Sequence, residues 1–478
     1  MITSDRMAAV DWNAAALGVP QKQLMESSGN AVARAVRQVA SPGASVAVVA
    51  GRGNNGGDAF VAVRFLDDYD VTVHLLGRPE TISTDIAREN WDALGAGEYD
   101  RRTVTDSRAL DLGDPDVVVD AMLGTGVTGA LREPEATAAA AIDDLDATVV
   151  AVDVPSGVNA DTGEAAGVSV DADRVVTFHD EKPGLAALDA EVTVADIGIP
   201  AAAERFVGPG DLLSVRRGEG GDGRAFVIGG GPYTGAPALA AQAALRAGAD
   251  LSFVAAPETV AGEIQGYAED LIVQPYGGNR LTPDRVDDLV ETAAKYDDVV
   301  VLGPGLGSAD DTLEAVRRFL SAFEGRAVVD ADALAVVSEV ETDATLVCTP
   351  NRRELERMGG PAADGGDLRA HADDVEALAA DLGHVVLAKS KTDVISDGET
   401  TRLCRAGTSG MRVGGTGDTL AGISAGLLTL VDPFDAACLA PYANGRAAES
   451  LDDRYGDGLV ASDLLDRLPA VLWGVANE

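Results

Sequence analysis

Short runs of β-branched residues alternate with alanine-rich amphipathic stretches along almost the whole chain, and this alternation restricts the possible folds most. Runs of the first kind occupy residues 46–50, 71–76, 117–120 and 149–153. A strand followed by a helix and another strand is typical of βαβ units built around a largely parallel sheet. The sequence therefore predicts an α/β fold, in which ligands bind beyond the carboxyl ends of the strands.

The alternation is interrupted once, between Arg216 and Gly223, by a polar stretch rich in glycine. Such a stretch cannot bury apolar surface and is typical of a linker. A new strand follows at residues 225–228, and the alternation resumes at 299–302, 327–330 and 385–388. Because 478 residues exceed one ordinary domain, we predict two α/β domains, residues 1–215 and 224–478, which share no motif.

The charge balance excludes several partners. The chain has 78 acidic and 37 basic side chains, and its formal net charge is −41. Such a surface repels nucleic acid and anionic lipid, and no apolar run is long enough to cross a bilayer. We therefore expect a cytoplasmic protein, a homo-oligomer, without nucleic-acid or membrane partners. Its acidic excess predicts adaptation to concentrated salt, which screens the repulsion.

Cysteine and histidine offer no metal or disulfide framework. Three cysteines, Cys348, Cys404 and Cys438, lie far apart, and the four histidines are scattered without ligand spacing. Separated cysteines in an apolar context are usually buried thiols. We therefore predict structural or surface roles for these residues.

Three polar motifs of the first half each follow a predicted strand. The first is a glycine-rich turn from Gly51 to Asp58, and the others occupy residues 120–126 and 152–157. Glycines allow close backbone approach, and free N–H groups at a helix start attract phosphate. Amide and carboxylate oxygens suit a hard cation. Because parallel strands end at one edge of a sheet, all three motifs are predicted to meet in one crevice.

Together with residues 24–26, 177–184 and 194–200, these motifs resemble the NAD(P)H-hydrate epimerase family over nearly all of residues 1–215. The resemblance implies a Rossmann-like doubly wound α/β sandwich and a potassium ion ligated by Asn55, Asp120 and Ser156. It also implies that Asp153 transfers the proton in epimerisation at C6. The residues expected to contact the hydrated nucleotide are Asn54, Asn55, Gly56, Gly57, Asp58, Gly124, Thr125, Gly126, Val127, Thr128, Gly129, Ala130 and Asp153.

Each of these polar residues alone also has a structural interpretation. Asp120 or Asp153 could cap a helix, Ser156 could stabilise a turn, and Lys182 could be a solvated surface cation. The order of the motifs along the chain matches the family, and this joint occurrence favours the functional interpretation.

The second half contains a glycine-rich segment, residues 410–422, that leads into an apolar helix. Backbone amides of Gly415, Thr416 and Gly417 can form an anion hole for a transferring phosphoryl group. Asp418 lies at the same helix start and is a candidate general base for an attacking hydroxyl. The Gly-Gly-Thr-Gly-Asp pattern is shared by ribokinase-like kinases, so it predicts phosphoryl transfer before it predicts a substrate.

Further segments at residues 229–237, 303–307, 330–334 and 349–355 resemble the ADP-dependent NAD(P)H-hydrate dehydratase family, over about residues 224–470. The resemblance implies a ribokinase-like α/β domain that uses ADP as co-substrate, with Mg²⁺ shielding the diphosphate and Glu354 assisting. Asn351 stands where the family usually has histidine. Ala236, Gly305, Asn351 and Asp418 are expected to contact the hydrate; ADP is expected to contact Lys389, Ser390, Lys391, Thr392, Asp393, Gly415, Thr416 and Gly417.

The sequence thus predicts a two-step repair enzyme for hydrated NADH and NADPH (NADHX and NADPHX). The first domain would interconvert the R and S epimers, and the second would dehydrate the S epimer with ADP, releasing NAD(P)H, AMP and phosphate. The alternative is a ribokinase-like kinase for a thiazole or pyrimidine substrate, fused to a non-catalytic interaction domain. That alternative predicts a phosphorylated product without elimination.

Overall fold

The computed structural model describes residues 1–126, 128–217, 223–296, 298–362 and 366–474. The chain divides into two compact units, Met1–Ala203 and Glu204–Glu478. Among the described residues, no helix combines the length and the apolar character needed to cross a membrane. All three cysteines are buried free thiols, as predicted.

The first unit contains a seven-stranded sheet in the order β3-β2-β1-β4-β5-β6-β7. Every neighbouring pair is parallel. The strand order reverses direction between β1 and β4, and a crevice opens at such a point in a doubly wound sheet. The strands are β1 (Ser45–Ala50), β2 (Asp70–Leu76), β3 (Asp100–Val104), β4 (Val117–Ala121), β5 (Thr148–Val152), β6 (Arg174–Phe178) and β7 (Glu191–Ala195).

Helices cover both faces of this sheet, which explains why its strands are apolar on both sides. On one face Val48 packs in a cluster with Val32 and Phe60, and on the other Val49 packs in a cluster with Ile142. The helices are α1 (Ser4–Ala16), α2 (Gln21–Val39), α3 (Asn54–Arg64), α4 (Asp85–Ala96), α5 (Glu135–Asp143) and α6 (Ala201–Arg205), the last of which crosses the unit boundary.

The second unit contains a nine-stranded sheet in the order β10-β9-β8-β11-β12-β13-β14-β15-β16. Strands β8 to β14 pair in parallel, whereas β15 runs antiparallel to both of its neighbours. The strands are β8 (Arg224–Ile228), β9 (Leu251–Pro257), β10 (Ile272–Tyr276), β11 (Val299–Leu302), β12 (Arg326–Val329), β13 (Thr345–Cys348), β14 (Val385–Ala388), β15 (Asp393–Ser396) and β16 (Thr401–Cys404).

The main core of the second unit lies between the sheet and three long helices that contain small residues. A Cβ at Gly422 would lie 2.0 Å from the carbonyl oxygen of Ala240, so α14 packs on α8 at backbone contact. The helices are α7 (Leu213–Arg217), α8 (Gly235–Arg246), α9 (Glu258–Gln265), α10 (Val286–Lys295), α11 (Asp310–Ala322), α12 (Arg352–Arg357), α13 (Ala372–Leu382), α14 (Thr416–Leu428), α15 (Pro433–Tyr455), α16 (Ala461–Leu465) and α17 (Leu468–Trp473).

The unit boundary lies earlier in the chain than the composition suggests. Arg402 donates hydrogen bonds to the carbonyl oxygens of Glu204 and Phe206, and it forms a buried bidentate ion pair with Asp211 at 2.7 and 2.9 Å. These bonds hold residues 204–217 on the second unit, although they precede the polar segment. Residues 218–222 of that segment lie outside the described residues.

Candidate active sites

The turn after β1 allows only glycine at two positions. A Cβ at Gly51 would lie 1.8 Å from the carbonyl oxygen of Met122, and one at Gly56 would lie 2.2 Å from the carbonyl oxygen of Gly51. No side chain fits at such distances, so the backbone of the turn lies directly against the end of β4. This contact brings the start of α3 close to the polar residues that follow β4.

A cavity of about 360 Å³ opens at this edge of the first sheet. Asp11 of α1 and Lys182, the loop residue that follows β6, both line it. Seven of the residues expected to contact the nucleotide also line it, namely Asn54, Asn55, Asp58, Gly124, Thr125, Gly126 and Asp153. The three strand-end motifs therefore meet in one crevice.

The other described residues of that expected set are absent from the lining of this cavity. Gly56 and Gly57 are buried within α3. Gly129 lines a separate cavity of about 130 Å³, and a Cβ at Gly167 would lie 3.3 Å from the Cβ of Ala130. Thr128 is absent from the lining of both cavities in the described part of the chain, and Val127 lies outside the described residues.

The three expected potassium ligands form one cluster of oxygen atoms. Asp120 is fully buried; one of its carboxylate oxygens accepts from the Ser156 hydroxyl at 2.7 Å, and the other accepts from the Ser156 amide at 2.7 Å. Asn55 donates its amide N–H to the carbonyl oxygen of Leu123 at 3.0 Å, and the Leu123 amide donates to the Ser156 hydroxyl at 3.0 Å. Burial raises the pKa of Asp120 to about 6, although the hydrogen bonds from Ser156 lower it.

This cluster suits a monovalent cation. Asp120 forms no ion pair with a basic side chain of the described residues, so its buried charge has no protein counter-ion. The hydroxyl oxygen of Ser156 contacts this carboxylate, and the carbonyl oxygen of Leu123 accepts from both the Ser156 hydroxyl and the Asn55 side-chain amide. No group of three or more His, Cys, Asp or Glu side chains in the described ranges is arranged to hold a metal. The oxygen set therefore fits a weakly charged hard ion such as K⁺ better than a transition metal.

Asp153 is bound to a buried lysine. The Lys182 ammonium lies 3.0 Å from Asp153 Oδ1, and the Lys182 side chain is 1% exposed. The interpretation of Lys182 as a solvated surface cation is therefore wrong, because this side chain is inside the protein and paired. Thr177 also donates its hydroxyl to Asp153 Oδ1 at 3.1 Å. Asp153 has a φ of +65°, a strained value for a non-glycine residue that directs its side chain at the functional edge.

Two further carboxyl groups line the same cavity. Burial raises the pKa of Asp11 to about 6, and the charge of Asp153 adds to the increase. Burial raises the pKa of Asp58 well above its usual range, with Asp153 and Asp11 contributing in the same direction. Asp11 lies on α1, far in sequence from the three motifs, and nothing in its local pattern marks it as a site residue.

The second candidate site lies at the start of α14. Gly415 has a φ of +99°, which turns the chain into the helix, and Asp418 lies in the first helical turn. A cavity of about 700 Å³ is lined here by Gly414, Gly415 and Asp418 together with Ala236 and Gly305. Ala236, Gly305, Gly415 and Asp418 were all expected at the site.

A second lysine, whose side chain is 20% exposed, lies beside this helix start. Lys389 forms an ion pair with Asp330 at 2.7 Å, and the Thr349 hydroxyl donates to the same carboxylate oxygen at 2.7 Å. A Cβ at Gly417 would lie 3.4 Å from Lys389 Nζ, so the ammonium faces the glycine turn. Asp330 and Thr349 fall in segments that carried the family resemblance, but no role was predicted for either.

The charges of Asp330, Lys389 and Asp418 shift one another's pKa values. Burial by itself lowers the pKa of Lys389, but the charge and hydrogen bond of Asp330 outweigh that effect, and its pKa is raised. Burial raises the pKa of Asp418 to about 6; Asp330 raises it further, and Lys389 opposes the increase. A carboxyl group with this pKa changes its charge near neutral pH, as a general base must.

Asn351 caps a helix. Its side-chain oxygen accepts from the backbone amides of Arg353 and Glu354 at 2.9 and 3.1 Å. The Glu354 carboxylate accepts from the backbone amide of Asn351 at 2.8 Å. This reciprocal capping box starts α12. Asn351 is absent from the lining of the second cavity within the described ranges, whereas Glu354 lines it.

The loop from Lys389 to Asp393 closes on itself. The Ser390 amide donates to Asp393 at 2.8 Å, Thr392 is buried and Lys391 is exposed. Burial raises the pKa of Asp393 to about 7. Thr416 donates its hydroxyl to the carbonyl oxygen of Met411 at 2.9 Å, which fixes the glycine turn from within.

These features define a two-unit α/β enzyme with a lysine–aspartate ion pair at each candidate site. Two family models match it: "YjeF-related protein N-terminus" over residues 21–184, and "NAD(P)H-hydrate dehydratase" over residues 225–470. The two models together match most of the chain.

The chain is also similar to known proteins over its full length. A bifunctional NAD(P)H-hydrate repair enzyme of Methanothermobacter thermautotrophicus is 43% identical, covering 98% of this chain and 94% of the relative. One of Pyrobaculum aerophilum is 42% identical, covering 100% and 99%. A solved ADP/ATP-dependent NAD(P)H-hydrate dehydratase of Bacillus subtilis is 26% identical with a TM-score of 0.47, covering 56% of this chain and 97% of that chain.

The chain therefore belongs to the family of bifunctional NAD(P)H-hydrate repair enzymes. The predicted family resemblance and the predicted fold class, a Rossmann-like unit followed by a ribokinase-like unit, are confirmed.

Proposed function

We propose that this protein repairs hydrated NAD(P)H in two steps. The first unit interconverts the R and S epimers at C6, and the second unit dehydrates the S epimer with ADP. Family membership over the full length supports the proposal. The observation that carries it is Asp418, a half-buried carboxyl group with a raised pKa, in the first turn of a helix that a glycine turn introduces at the wall of a cavity.

The second reaction balances as a phosphoryl transfer followed by an elimination. Asp418 accepts the proton of the C6 hydroxyl, and the hydroxyl oxygen attacks the β-phosphorus of ADP, which releases AMP. The new phosphate ester is a good leaving group. Breaking its bond to C6, with loss of a proton from C5, restores the C5=C6 double bond and releases NAD(P)H and phosphate.

In the second unit the glycine turn and Lys389 position the phosphoryl groups of ADP. The amides of Gly415, Thr416 and Gly417 are at the helix start, where the helix dipole favours anions. The Lys389 ammonium faces Gly417 and offsets phosphoryl charge. Mg²⁺ that enters bound to the diphosphate would meet the carboxylates of Asp332 and Glu354, which line the cavity, and it would supply additional charge stabilisation.

The epimerase site of the first unit combines Asp153 with the oxygen cluster. We assign removal of the C6 hydroxyl proton to Asp153, which Lys182 and Thr177 hold in position. A Cβ at Gly124 would lie 3.3 Å from Asn55 Oδ1 and 3.5 Å from Asp153 Oδ2, so the cluster and the acid are neighbours. K⁺ held by Asn55, Asp120 and Ser156 would supply positive charge there. Replacing K⁺ with tetramethylammonium should slow epimerisation and leave dehydration intact.

The epimers themselves test the proposal. Given a mixture of both epimers, ADP and Mg²⁺, the protein should convert all of it to NAD(P)H, which the recovered dihydronicotinamide absorbance reports. Conversion that stops when the S epimer is consumed would indicate a first unit without catalysis. A stable phosphorylated product without absorbance recovery would instead support a kinase.

The proposal extends to the setting of the enzyme. We propose a cytoplasmic homo-oligomer, and we propose separately that the protein is adapted to concentrated salt, on the ground of its net charge of −41. Screening reduces acidic self-repulsion, so its melting temperature should rise with KCl concentration. A melting temperature independent of salt would contradict the adaptation.

A further inference from the structure

Epimerisation at C6 needs two proton-transfer groups. C6 of the hydrate bears a hydroxyl group and is bonded to the ring nitrogen N1. Removing the hydroxyl proton forms C6=O as the C6–N1 bond breaks, and its electron pair goes to N1, which takes up a proton. After rotation about C5–C6, N1 adds to the other face of the carbonyl and both protons return. One group must therefore accept a proton while another donates one.

Lys182 is unsuitable as the second group, although it contacts Asp153. Three oxygens surround its ammonium: the carbonyl oxygens of Phe178 and Asp180 at 2.8 and 3.3 Å, and Asp153 Oδ1 at 3.0 Å. An ammonium group has three hydrogens, and this environment offers an acceptor for each. Lys182 is therefore a positioning residue that holds Asp153, and the second proton must come from elsewhere.

Asp11 is the carboxyl group that meets this need. It lines the cavity together with Asp153, and it approaches from α1 rather than from the sheet edge. The Ile2 amide donates to the carbonyl oxygen of Glu181 at 2.8 Å. This bond ties the start of α1 to the loop that carries Lys182, so the position of Asp11 is fixed relative to the Asp153–Lys182 pair.

Asp58, the other candidate acid, is less suited to proton exchange with a ligand. It is buried within α3, has the Ser28 hydroxyl as a hydrogen-bonding neighbour and interacts with the charges of both Asp153 and Asp11. Asp11 is only half-buried, which leaves its carboxyl group accessible from the cavity.

We propose that Asp11 is the second proton-transfer residue of the first unit, and that it donates to N1 while Asp153 accepts from the C6 hydroxyl. This proposal rests on the epimerase function proposed above. The two carboxyl groups exchange roles when the ring closes: Asp153 returns its proton to the C6 oxygen, and Asp11 takes the proton back from N1, so both end as they began.

The surroundings of Asp11 extend its protonated form to a higher pH than is usual for an aspartic acid. Burial raises its pKa to about 6 and the charge of Asp153 adds to this, while Lys182 and His179 oppose it; Asp58 shares the cavity as a further acid. Because Asp11 must start protonated, epimerisation should slow as the pH rises through this pKa.

The test compares Asp11→Asn with Asp5→Asn, a matched change at an exposed position of the same helix. Starting from pure R epimer without ADP, chromatography follows the appearance of the S epimer over a range of pH. We expect Asp11→Asn to lose about a hundredfold or more of the rate, and Asp5→Asn to retain it. Dehydration of pure S epimer by the same Asp11→Asn protein should be unchanged.

Asp11→Glu separates a proton-transfer role from a structural one. A glutamic acid has a slightly higher intrinsic pKa, so this variant should recover part of the activity with the alkaline decline moved to higher pH. The proposal is overturned if Asp11→Asn has the rate and pH profile of Asp5→Asn, or if Asp11→Glu recovers activity without any change in profile. If wild-type protein itself fails to interconvert the epimers, the epimerase function fails instead.

Discussion

Each unit of this protein has a lysine–aspartate ion pair near its candidate site, and the two pairs are used differently. In the first unit Lys182 contacts Asp153, the proposed base itself, at 3.0 Å. In the second unit Lys389 contacts Asp330 at 2.7 Å, and the proposed base, Asp418, lies beside the pair. The first lysine orients its base directly; the second acts on its base through charge.

The difference suits the two reactions. Epimerisation moves protons between a ligand and the protein, so a base held in one orientation by a counter-ion is advantageous. Phosphoryl transfer develops negative charge on the ligand, so a lysine that faces the glycine turn serves there while Asp418 removes the proton. Removing individual charges tests this division of roles.

The largest expected effect comes from Asp418→Asn. An amide cannot accept the hydroxyl proton, so dehydration of the S epimer should fall by about 10²- to 10⁴-fold. The same protein should still interconvert the epimers, because that reaction belongs to the first unit. Asp381→Asn, the same change at an exposed position of the second unit, should leave both activities intact. Loss of both in Asp418→Asn would argue against independent sites.

Removing the first lysine should be nearly as damaging, but to the first unit only. Lys182→Met leaves a buried carboxylate without its counter-ion, and breaking such a pair costs about 3–5 kcal/mol. We expect a lower unfolding midpoint in urea and loss of epimerisation. A double-mutant cycle with Asp153→Asn should recover much of the stability and none of the activity. Retained epimerisation in Lys182→Met would exclude its positioning role.

Adding a methyl group at Gly303, where two strand ends are in backbone contact, should have an intermediate effect on stability and on dehydration. Gly303 has a φ of +128°, and a Cβ there would lie 1.9 Å from the carbonyl oxygen of Asp330. Gly303→Ala should destabilise the second unit by about 1–3 kcal/mol and slow dehydration by displacing the ion pair. Gly262→Ala within α9, where no atom lies within 4 Å of the added Cβ, should stabilise it by up to about 1 kcal/mol. Equal melting temperatures would contradict the tight contact.

The smallest expected effect is a shift in the pH dependence of dehydration. The direction of the shift distinguishes the charge of Lys389 from that of Asp330. Asp418 must be ionised to act, so dehydration should decline as the pH falls through about 6. Lys389 lowers the pKa of Asp418 and Asp330 raises it. Lys389→Met should therefore move the acid limb of the rate profile to higher pH, and Asp330→Asn should move it to lower pH. Shifts of the same sign would show that Asp418 responds to neither charge directly.

Much of the first site is predictable from sequence, because strand ends determine where residues meet. Asn55, Asp120 and Ser156 lie at or just beyond the carboxyl ends of three separate strands of a parallel sheet, whose geometry brings them together at one edge. The second site follows from the glycine turn and Asp418, which are adjacent in the chain. In both cases a local pattern and one rule of topology are sufficient.

The residues that sequence reasoning missed depend on long-range packing. Asp11 reaches the first cavity only because α1 docks against the loop after β6, and no local pattern reports that contact. Lys182 was open to interpretation as a surface cation because its burial depends on the surrounding fold. Asn351 caps α12, a role that its side chain suits, and its contact with the hydrate stays a prediction.

The most direct test of the account supplies pure R epimer with ADP and Mg²⁺ to wild-type protein and to Asp153→Asn. Wild-type protein should convert all of the R epimer to NAD(P)H, because the first unit feeds the second. Asp153→Asn should leave the R epimer unconverted beyond its spontaneous rate, while it dehydrates S epimer at the wild-type rate. Conversion of the R epimer by Asp153→Asn at the wild-type rate would contradict the assignment of epimerisation to this site.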